Sequence, residues 1–437
     1  MTTEIFNNDC WEHIKTMADN SVDAIVTDPP YDIGFMNKGW DKNSIVTNSD
    51  FWKECLRVLK PGGHLLAFSH SRTSHRQTTA VENAGFEIRD TVLWLYGSGF
   101  PKSHNVSLSI DKKYGHKNRG RAIPTASSFQ ASDKEQKNKL TANKVEAYKA
   151  KTDAGAEWKG WGTALKPAYE PVVLARKPLE GSVADNVIKY GTGAINIDDC
   201  RVPYANDEDR SGWHKTGANG SNGFTGEDTF RIRPMSAEEI QERTKDGRFP
   251  ANVILDEEAG KVLDEQSGFT KSSKRSKKYN KDTENRSGYT PVKSDYREDN
   301  TYSDSGGASR FFYCPKVNKK EREAGCEELE EKNSASAEFR PNHMEKAEQG
   351  ENGNPYGRWK KIKNNHPTVK PIALMEYLIK LVTKPEHTVL DPFMGSGSTG
   401  MAAKRLGRNF IGIEREEAYF EIAKARLNQT LDNPEKD

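Results

Sequence analysis

The stretch SVDAIVTDPPY, residues 21–31, decides the fold of this chain. It opens with the short, β-branched apolar run Ser21–Thr27 and ends in Asp28, two prolines and Tyr31. A short apolar run that stops at prolines is typical of a buried parallel strand followed by a loop. Because chemistry in α/β folds commonly lies at such strand ends, the stretch predicts a parallel sheet with a functional loop after this strand.

Helical and strand-like patterns alternate on both sides of this stretch. Phe51–Leu59 has the apolar spacing of a helix and is closed by Pro61-Gly62-Gly63. The other predicted elements are strands at His64–Phe68, Thr91–Tyr96, Val172–Ala175, Thr388–Leu390 and Phe410–Glu414, and helices near Thr78–Asn83, Pro371–Leu381, Thr399–Leu406 and Glu417–Leu427. This alternation predicts an α/β fold with a doubly wound, mostly parallel, seven-stranded sheet.

Polar tracts with uneven charge interrupt the pattern in the middle of the chain. Basic residues outnumber acidic ones by about two to one from Lys112 to Lys159, and Lys271–Arg297 is similarly basic, whereas Glu321–Glu331 is acidic. Two short pieces, Ala251–Leu255 and Arg310–Tyr313, look strand-like. We interpret the first tract as an insertion in a strand pair and the later ones as a recognition region with mobile loops. Ordinary solvated loops are the alternative for each charge run.

Composition bounds the class of protein. The chain has 437 residues, of which 34% are hydrophobic and 30% charged, so we expect one catalytic domain with large insertions. Its 66 Lys and Arg nearly balance 64 Asp and Glu, so net charge alone does not indicate a nucleic-acid partner. The five cysteines form no CxxC pair, and neither a metal site nor a disulfide framework is predicted. Without an apolar signal region or a spanning run, we expect a soluble cytoplasmic protein with no membrane partner.

The loop Asp28-Pro29-Pro30-Tyr31 has the residue types that transfer to an aromatic amine requires. A carboxylate and a backbone carbonyl, held by the restricted φ of proline, can accept the amino hydrogens and orient the nitrogen. Tyr31 offers a flat face on which an extruded base can stack. The alternative is an ordinary turn that ends a strand.

A second loop, DPFMGSGST at residues 391–399, lies between a predicted strand and a predicted helix. Its small residues allow close approach of a ligand to the backbone, and the helix amino end offers donors to a negative group. The pattern matches neither GxxxxGK[ST] nor GxGxxG, which disfavours a nucleoside triphosphate. Glu414 ends the next strand, where a carboxylate can accept hydrogen bonds from ribose hydroxyls. A ribose with a non-phosphate negative end, as in S-adenosylmethionine, suits this pair, although Glu414 is otherwise a plain strand end.

The segment NHPTVKP, residues 365–371, precedes the helix that leads into the second loop. It is consistent with Thr368 and Lys370 beside the carboxylate of a cofactor. It is equally consistent with a helix start that has Pro371 in its first turn.

Together these motifs resemble the amino-group DNA methyltransferases of the N6-adenine and N4-cytosine type. The order, DPPY first and the glycine loop late, resembles their circularly permuted β class. TVLWLYGSGFPKS, GWGTALKPAYEPVVLARKP, GRFPANVILDE and SRFFYCPK resemble a phage- and prophage-type branch. The resemblance implies a Rossmann-like mixed sheet that binds S-adenosylmethionine, with the target-base site in its N-terminal half and the cofactor site in its C-terminal half.

The resemblance also implies roles for individual residues. Asp28 and the Pro29 carbonyl would bind the target amine, Pro30 would shape the turn, and Tyr31 would stack on the base. The implied cofactor site comprises Asp9, His366, Thr368, Lys370, Asp391, Pro392, Phe393, Gly395, Ser396, Gly397, Ser398, Thr399 and Glu414. Ser398 stands where the family more often has threonine.

The resemblance predicts site-specific methylation of double-stranded DNA by base flipping and direct in-line transfer. Asp28 at the first position of the tetrapeptide favours adenine N6, with cytosine N4, RNA or an inactive DNA-binding relative as alternatives. Methylation at cytosine carbon-5 is disfavoured because no Pro-Cys step presents a nucleophile. The sequence leaves open a homodimer and a paired restriction enzyme.

These interpretations divide the chain into five regions. They are 1–102, the half that carries DPPY; 103–165, a basic insertion that contacts DNA; 166–180, a returning strand; 181–360, the recognition region; and 361–437, the half that carries the cofactor site.

Overall fold

The computed structural model describes residues 1–33, 45–97, 99, 103–116, 148–204, 247–271, 305–315, 319–333 and 361–429. The chain divides into two compact units. Unit 1 comprises Met1–Trp94 and Glu170–Asp437, and unit 2 comprises Leu95–Tyr169. Much of the predicted recognition region, and residues 117–147 of the predicted insertion, lie outside the described residues.

The strands, in chain order, are β1 (Thr3–Asn7), β2 (Val22–Thr27), β3 (Leu59–Phe68), β4 (Glu87–Leu95), β5 (Tyr169–Arg176), β6 (Val253–Leu255), β7 (Thr270–Lys271), β8 (Ser305–Gly306), β9 (Lys332–Asn333), β10 (Lys361–Ile362), β11 (Thr388–Asp391) and β12 (Asn409–Glu414). The α-helices are α1 (Cys10–Thr16), α2 (Ser49–Val58), α3 (Ser74–Asn83), α4 (Val106–Lys113), α5 (Asp153–Glu157), α6 (Val183–Tyr190), α7 (Glu257–Ser267), α8 (Ile372–Val382), α9 (Ser398–Arg405) and α10 (Glu417–Asn428).

The main sheet has the strand order β1-β12-β11-β2-β3-β5-β4-β6. The strands from β1 to β3 in this order are parallel to their neighbours, and β5 runs antiparallel to β3. The predicted mixed α/β fold is therefore confirmed. The described part of the sheet has eight strands rather than the predicted seven, because β1, which the sequence did not reveal, and β6 form its two edges.

Two local predictions were wrong. Pro61-Gly62-Gly63 does not separate a helix from a strand; it lies inside β3, where the pairing with β2 shifts register between Val22 and Ala24. Arg310–Tyr313 does not form a strand. Residues Ala308–Phe311 form a 3-10 helix, and Tyr313 makes a single bridge to Ile254 of β6.

The core lies on both faces of the sheet because successive residues of a strand point to opposite sides. On one face Val26 and Leu66 pack with residues of α8, α9 and α10. On the other face Ile25 and Leu65 pack with residues of α1, α2 and α3. Helices therefore cover the sheet on both sides, as a doubly wound fold requires.

The sheet brings the two predicted loops together. Val389 and Leu390 of β11 pair in parallel with Ala24 and Ile25 of β2. The loops that follow these strands, DPPY and the glycine loop, thus begin side by side at the carboxyl ends of the strands. In the described residues, no helix is both long and apolar enough to cross a membrane.

Candidate active site

Asp28 and Tyr31 of the DPPY loop are joined by a hydrogen bond. The Tyr31 hydroxyl donates to Asp28 Oδ1 at 2.7 Å, and Thr73 Oγ1 donates to the Tyr31 carbonyl at 2.9 Å. Pro29 and Pro30 lie between these two residues in the chain. Pro29 is buried and Pro30 is half-buried. These bonds hold the loop in a fixed conformation at the carboxyl end of β2.

Lys370 lies against this loop, although the sequence analysis assigned it to the cofactor. Its ammonium donates to Asp28 Oδ2 at 2.5 Å and to the Tyr31 hydroxyl at 3.2 Å. Only 8% of its side chain is exposed. The structure thus brings Lys370 to the predicted amine-binding carboxylate, 342 residues away in the chain.

Glu170 completes this group and was missed by the sequence analysis. Its Oε2 accepts from the Tyr31 hydroxyl at 3.1 Å and lies 3.4 Å from the Lys370 ammonium. Since β5 is antiparallel to β3, the first residues of β5 lie beside the carboxyl ends of β2 and β3. Only the direction of this strand, which the sequence does not specify, could have revealed Glu170. We call Asp28, Tyr31, Glu170 and Lys370 the Asp28 cluster.

Burial and charge together set the protonation of the Asp28 cluster. Burial raises the pKa of Asp28; the Lys370 ammonium opposes this shift and the Glu170 carboxylate adds to it. Burial, Asp28 and Glu170 raise the pKa of Tyr31 well above its usual value. Burial acts to lower the pKa of Lys370, but the two carboxylates outweigh it and the pKa is raised. Lys370 is therefore a cation and Tyr31 a neutral donor near neutral pH.

Asp391, at the end of β11, braces the glycine loop. Its carboxylate accepts from Thr27 Oγ1 at 2.6 Å, from Thr399 Oγ1 at 2.5 Å and from the Phe393 amide at 3.1 Å. Burial raises the pKa of Asp391 to about 6. Asp391 was predicted to lie in the cofactor site. Its hydrogen bonds connect β2, the glycine loop and α9.

The glycine loop has a backbone that side chains would obstruct. Gly395 and Gly397 adopt φ of +54° and +80°, which favours glycine. A Cβ on Gly395 would lie 2.8 Å from His366 Nε2. No side chain caps the amino end of α9, and Pro392, Ser396, Ser398 and Thr399 are buried around it.

Glu414, at the end of β12, faces the same loop. Its Oε2 accepts from the Gly395 amide at 2.9 Å and its Oε1 from the Glu416 amide at 2.8 Å. Burial raises the pKa of Glu414 to about 7, against the effect of these two amides. The Asn8 amide donates to the Glu414 carbonyl at 3.1 Å. Asp9 follows, and its carboxylate caps α1 by accepting from the Trp11 amide at 2.9 Å.

His366 packs between the glycine loop and α10. Its ring lies 4.5 Å from that of Tyr419, and its Nδ1 accepts from the Thr368 amide at 3.4 Å. Burial, followed by the nearby cations, lowers the pKa of His366 to about 3. The ring is therefore neutral. Arg322 donates to the His366 carbonyl at 2.7 Å and fixes this segment.

Arg426 of α10 is a buried cation that the sequence analysis missed. It donates to the Ser396 carbonyl at 2.5 Å and lies within 3.3 Å of the Ser398 hydroxyl. Burial lowers its pKa to about 10, so it stays charged. In the sequence, Arg426 lies on the apolar face of the helix beside Ile422 and Leu427, and this position could have predicted its burial.

The residues present fit a nucleoside with a carboxylate end. The amino end of α9 has no side-chain cap, and Glu414 offers a carboxylate at the end of the adjacent strand β12. Phe393 is half-buried, and its ring centroid lies 5.4 Å from that of Phe51. Among the described residues no cluster of side chains suits a metal ion.

Comparison with known proteins places these features in context. The model of the family N6_N4_Mtase, DNA methylase, matches residues 22–425. Over 64 residues, 15% of this chain and 24% of the relative, the sequence is 56% identical to type II methyltransferase M2.LlaDCHI of Lactococcus lactis subsp. cremoris. Over 72 residues, 16% of this chain and 20% of the relative, it is 50% identical to type II methyltransferase M.HinfI of Haemophilus influenzae.

The matched segments thus span about a quarter or less of those two relatives. Among solved structures, the chain is similar to the M1.HpyAVI-SAM complex, with 18% identity and a TM-score of 0.37 over 98% of this chain and 100% of that one.

Proposed function

This chain belongs to the N6_N4_Mtase family of DNA methylases, and we propose that it transfers a methyl group from S-adenosylmethionine to the N6 amino group of an adenine in double-stranded DNA. One observation carries the proposal. Asp28 and Tyr31 of the Asp28 cluster follow β2, and the glycine loop follows the adjacent parallel strand β11. An amine held at Asp28 and a ligand held at the glycine loop would therefore lie at the carboxyl ends of adjacent strands.

Bound S-adenosylmethionine supplies a sulfonium-activated methyl group, so the protein needs no covalent intermediate. Gly395, Gly397 and the amino end of α9 would hold its amino-acid end, and Glu414 would accept from its ribose hydroxyls. Phe393 and His366 would border the same ligand.

The Asp28 cluster would orient the amine. The Asp28 carboxylate and the Pro29 carbonyl accept the two amino hydrogens, so the nitrogen lone pair points at the methyl donor. Tyr31 stacks on the extruded base, which offsets the cost of unstacking it. Transfer would form the bond from nitrogen to the methyl carbon and break the bond from sulfur to it, which leaves the sulfur as a neutral thioether. Asp28, whose pKa is raised, would then accept the proton that the cationic nitrogen loses.

The choice of adenine over cytosine rests on Asp28 at the first position of DPPY. For the DNA partner, we propose that the lysines of unit 2 contact phosphates, because residues 95–169 carry 14 Lys and Arg against 6 Asp and Glu.

The test is methyl transfer from labelled S-adenosylmethionine to mixed-sequence duplex DNA, followed by nucleoside analysis. We expect N6-methyladenine with the native chain and at least a hundredfold less with Asp28→Ala. Asp50→Ala, which removes an exposed carboxylate of α2, is the matched control and should keep the native rate.

Each other product has a definite meaning. N4-methylcytosine would retain the family chemistry and overturn the choice of adenine. Product on RNA alone would overturn the DNA substrate, and no product on either nucleic acid would leave a binding protein as the better interpretation.

A further inference from the structure

Both carboxylate oxygens of Asp28 already have donors. The Tyr31 hydroxyl binds Oδ1 at 2.7 Å and the Lys370 ammonium binds Oδ2 at 2.5 Å. Each oxygen has a second lone pair, so a target amine that donates to this carboxylate either shares an oxygen with one of these donors or displaces it, and in both cases that donor's bond to Asp28 weakens. A buried donor that loses its acceptor without a replacement is costly, most of all a cation such as Lys370.

Glu170 is placed to serve as that replacement. Its Oε2 lies 3.1 Å from the Tyr31 hydroxyl and 3.4 Å from the Lys370 ammonium, so it reaches the same two donors as Asp28. It comes from β5, which is paired to β3 through the register Phe68 with Val172.

Building on the function proposed above, we propose that Glu170 is a positioning residue that takes over the Tyr31 hydroxyl and the Lys370 ammonium when the target amine binds Asp28. Glu170 does not touch the base. It keeps the Tyr31 ring in its stacking orientation. It also keeps a carboxylate beside the Lys370 ammonium while Asp28 binds the target amine.

Glu170 also affects how the transfer rate depends on pH. The charged and titratable groups that face Asp28 are Lys370 before α8, Glu170 of β5, Tyr31 of its own loop and Asp391 of β11. Glu170 acts to raise the pKa of Asp28. Removing its charge should therefore move the acid limb of the transfer rate to lower pH. A side chain that only filled space would leave that limb in place.

The experiment measures single-turnover methyl transfer against pH for the native chain, Glu170→Gln and Glu170→Asp. Glu82→Gln, which alters an exposed carboxylate of α3, is the control. For Glu170→Gln we expect a rate about tenfold lower on the plateau, an acid limb at lower pH, and unchanged dissociation constants for S-adenosylmethionine and duplex DNA. Glu170→Asp, which keeps the charge, should restore the acid limb and part of the rate.

An unchanged rate and acid limb in Glu170→Gln would overturn the proposal. So would a rate loss that is matched by weaker cofactor binding, because the loss would then arise at the cofactor site. If the native chain transfers no methyl group, the proposed function fails by itself. The Glu170 assignment then depends on urea unfolding of Glu170→Gln, Lys370→Gln and the double variant: a non-additive effect supports the shared ammonium, and an additive one overturns it.

Discussion

At the scale of the residue, Glu414 is a carboxylate whose raised pKa, about 7, lies in the physiological range. Burial holds the proton in the folded chain, whereas an exposed glutamate releases it near pH 4.3. The stabilisation that comes from proton uptake is thus present below the unfolded pKa and is lost as pH rises through about 7. Over the same range the side chain becomes the ionised acceptor that ribose hydroxyls prefer.

We therefore expect S-adenosylmethionine to bind several-fold more tightly at pH 8 than at pH 6. Isothermal titration calorimetry across this range checks the expectation. Glu414→Gln should flatten the dependence and weaken binding at pH 8, whereas Glu12→Gln, on an exposed face of α1, should keep the native profile. A native pH dependence in Glu414→Gln would show that another group is responsible.

Single residues also show how far sequence reasoning reaches. The sequence indicated Asp28 and Glu414 as site residues because Asp28 follows one apolar strand and Glu414 ends another. Lys370 was placed beside the cofactor because its motif is next to the glycine loop in the chain, yet its ammonium lies on Asp28. Glu170 and Arg426 have no motif of their own. Each depends on a strand or helix bringing a polar group to a site built from other parts of the chain.

At the scale of the element, the 3-10 turn Lys319–Arg322 joins two parts of the candidate cofactor site. Arg322 donates to the carbonyls of Asn364 and His366 at 3.3 and 2.7 Å. The Glu321 carbonyl accepts from Arg426, which in turn holds Ser396 of the glycine loop. A turn from the predicted recognition region thus fixes both segments that flank the cofactor site.

Arg322→Ala should weaken S-adenosylmethionine binding by about tenfold, because it frees the segment that carries His366. It should also lower the free energy of unfolding by about 2 kcal/mol through the loss of two charge-assisted hydrogen bonds. Calorimetry and urea unfolding measure the two effects, with the exposed Arg89→Ala as control. Unchanged cofactor affinity with reduced stability would confine Arg322 to a structural role.

The elements were predictable where burial leaves a clear pattern. β2 and β11 were found because they are apolar on both faces in the middle of the sheet. β1 was missed because it is an edge strand whose residues are exposed or only half-buried. β3 was truncated because Pro61 and Gly62 normally end an element, and here the register shift against β2 accommodates them.

At the scale of the whole molecule, charge is divided unevenly between the two units. Residues 95–169 contain 14 Lys and Arg against 6 Asp and Glu, a net charge of +8, whereas the whole chain has +2. The remainder of the chain is therefore negative by 6. In unit 2, Trp158 and Trp161 are exposed, and their ring centroids lie 5.2 Å apart. Exposed aromatic rings among lysines suit contact with nucleic acid.

A charge reversal in unit 2 tests whether it contacts DNA. Lys149, Lys151 and Lys159 are exposed, and the variant changes all three to glutamate. The slope of log affinity against log salt should become less steep by about 2 to 3, because each lost phosphate contact contributes roughly 0.9 to it. The control reverses the exposed Lys15, Lys53 and Lys424 of unit 1, which lie outside the predicted recognition region, with the same change in net charge. Equal slopes in both variants would mean that net charge alone governs binding and that the basic insertion does not contact phosphates. A flatter slope in the unit 2 variant alone would locate the phosphate contacts there, because net charge is matched between the two proteins.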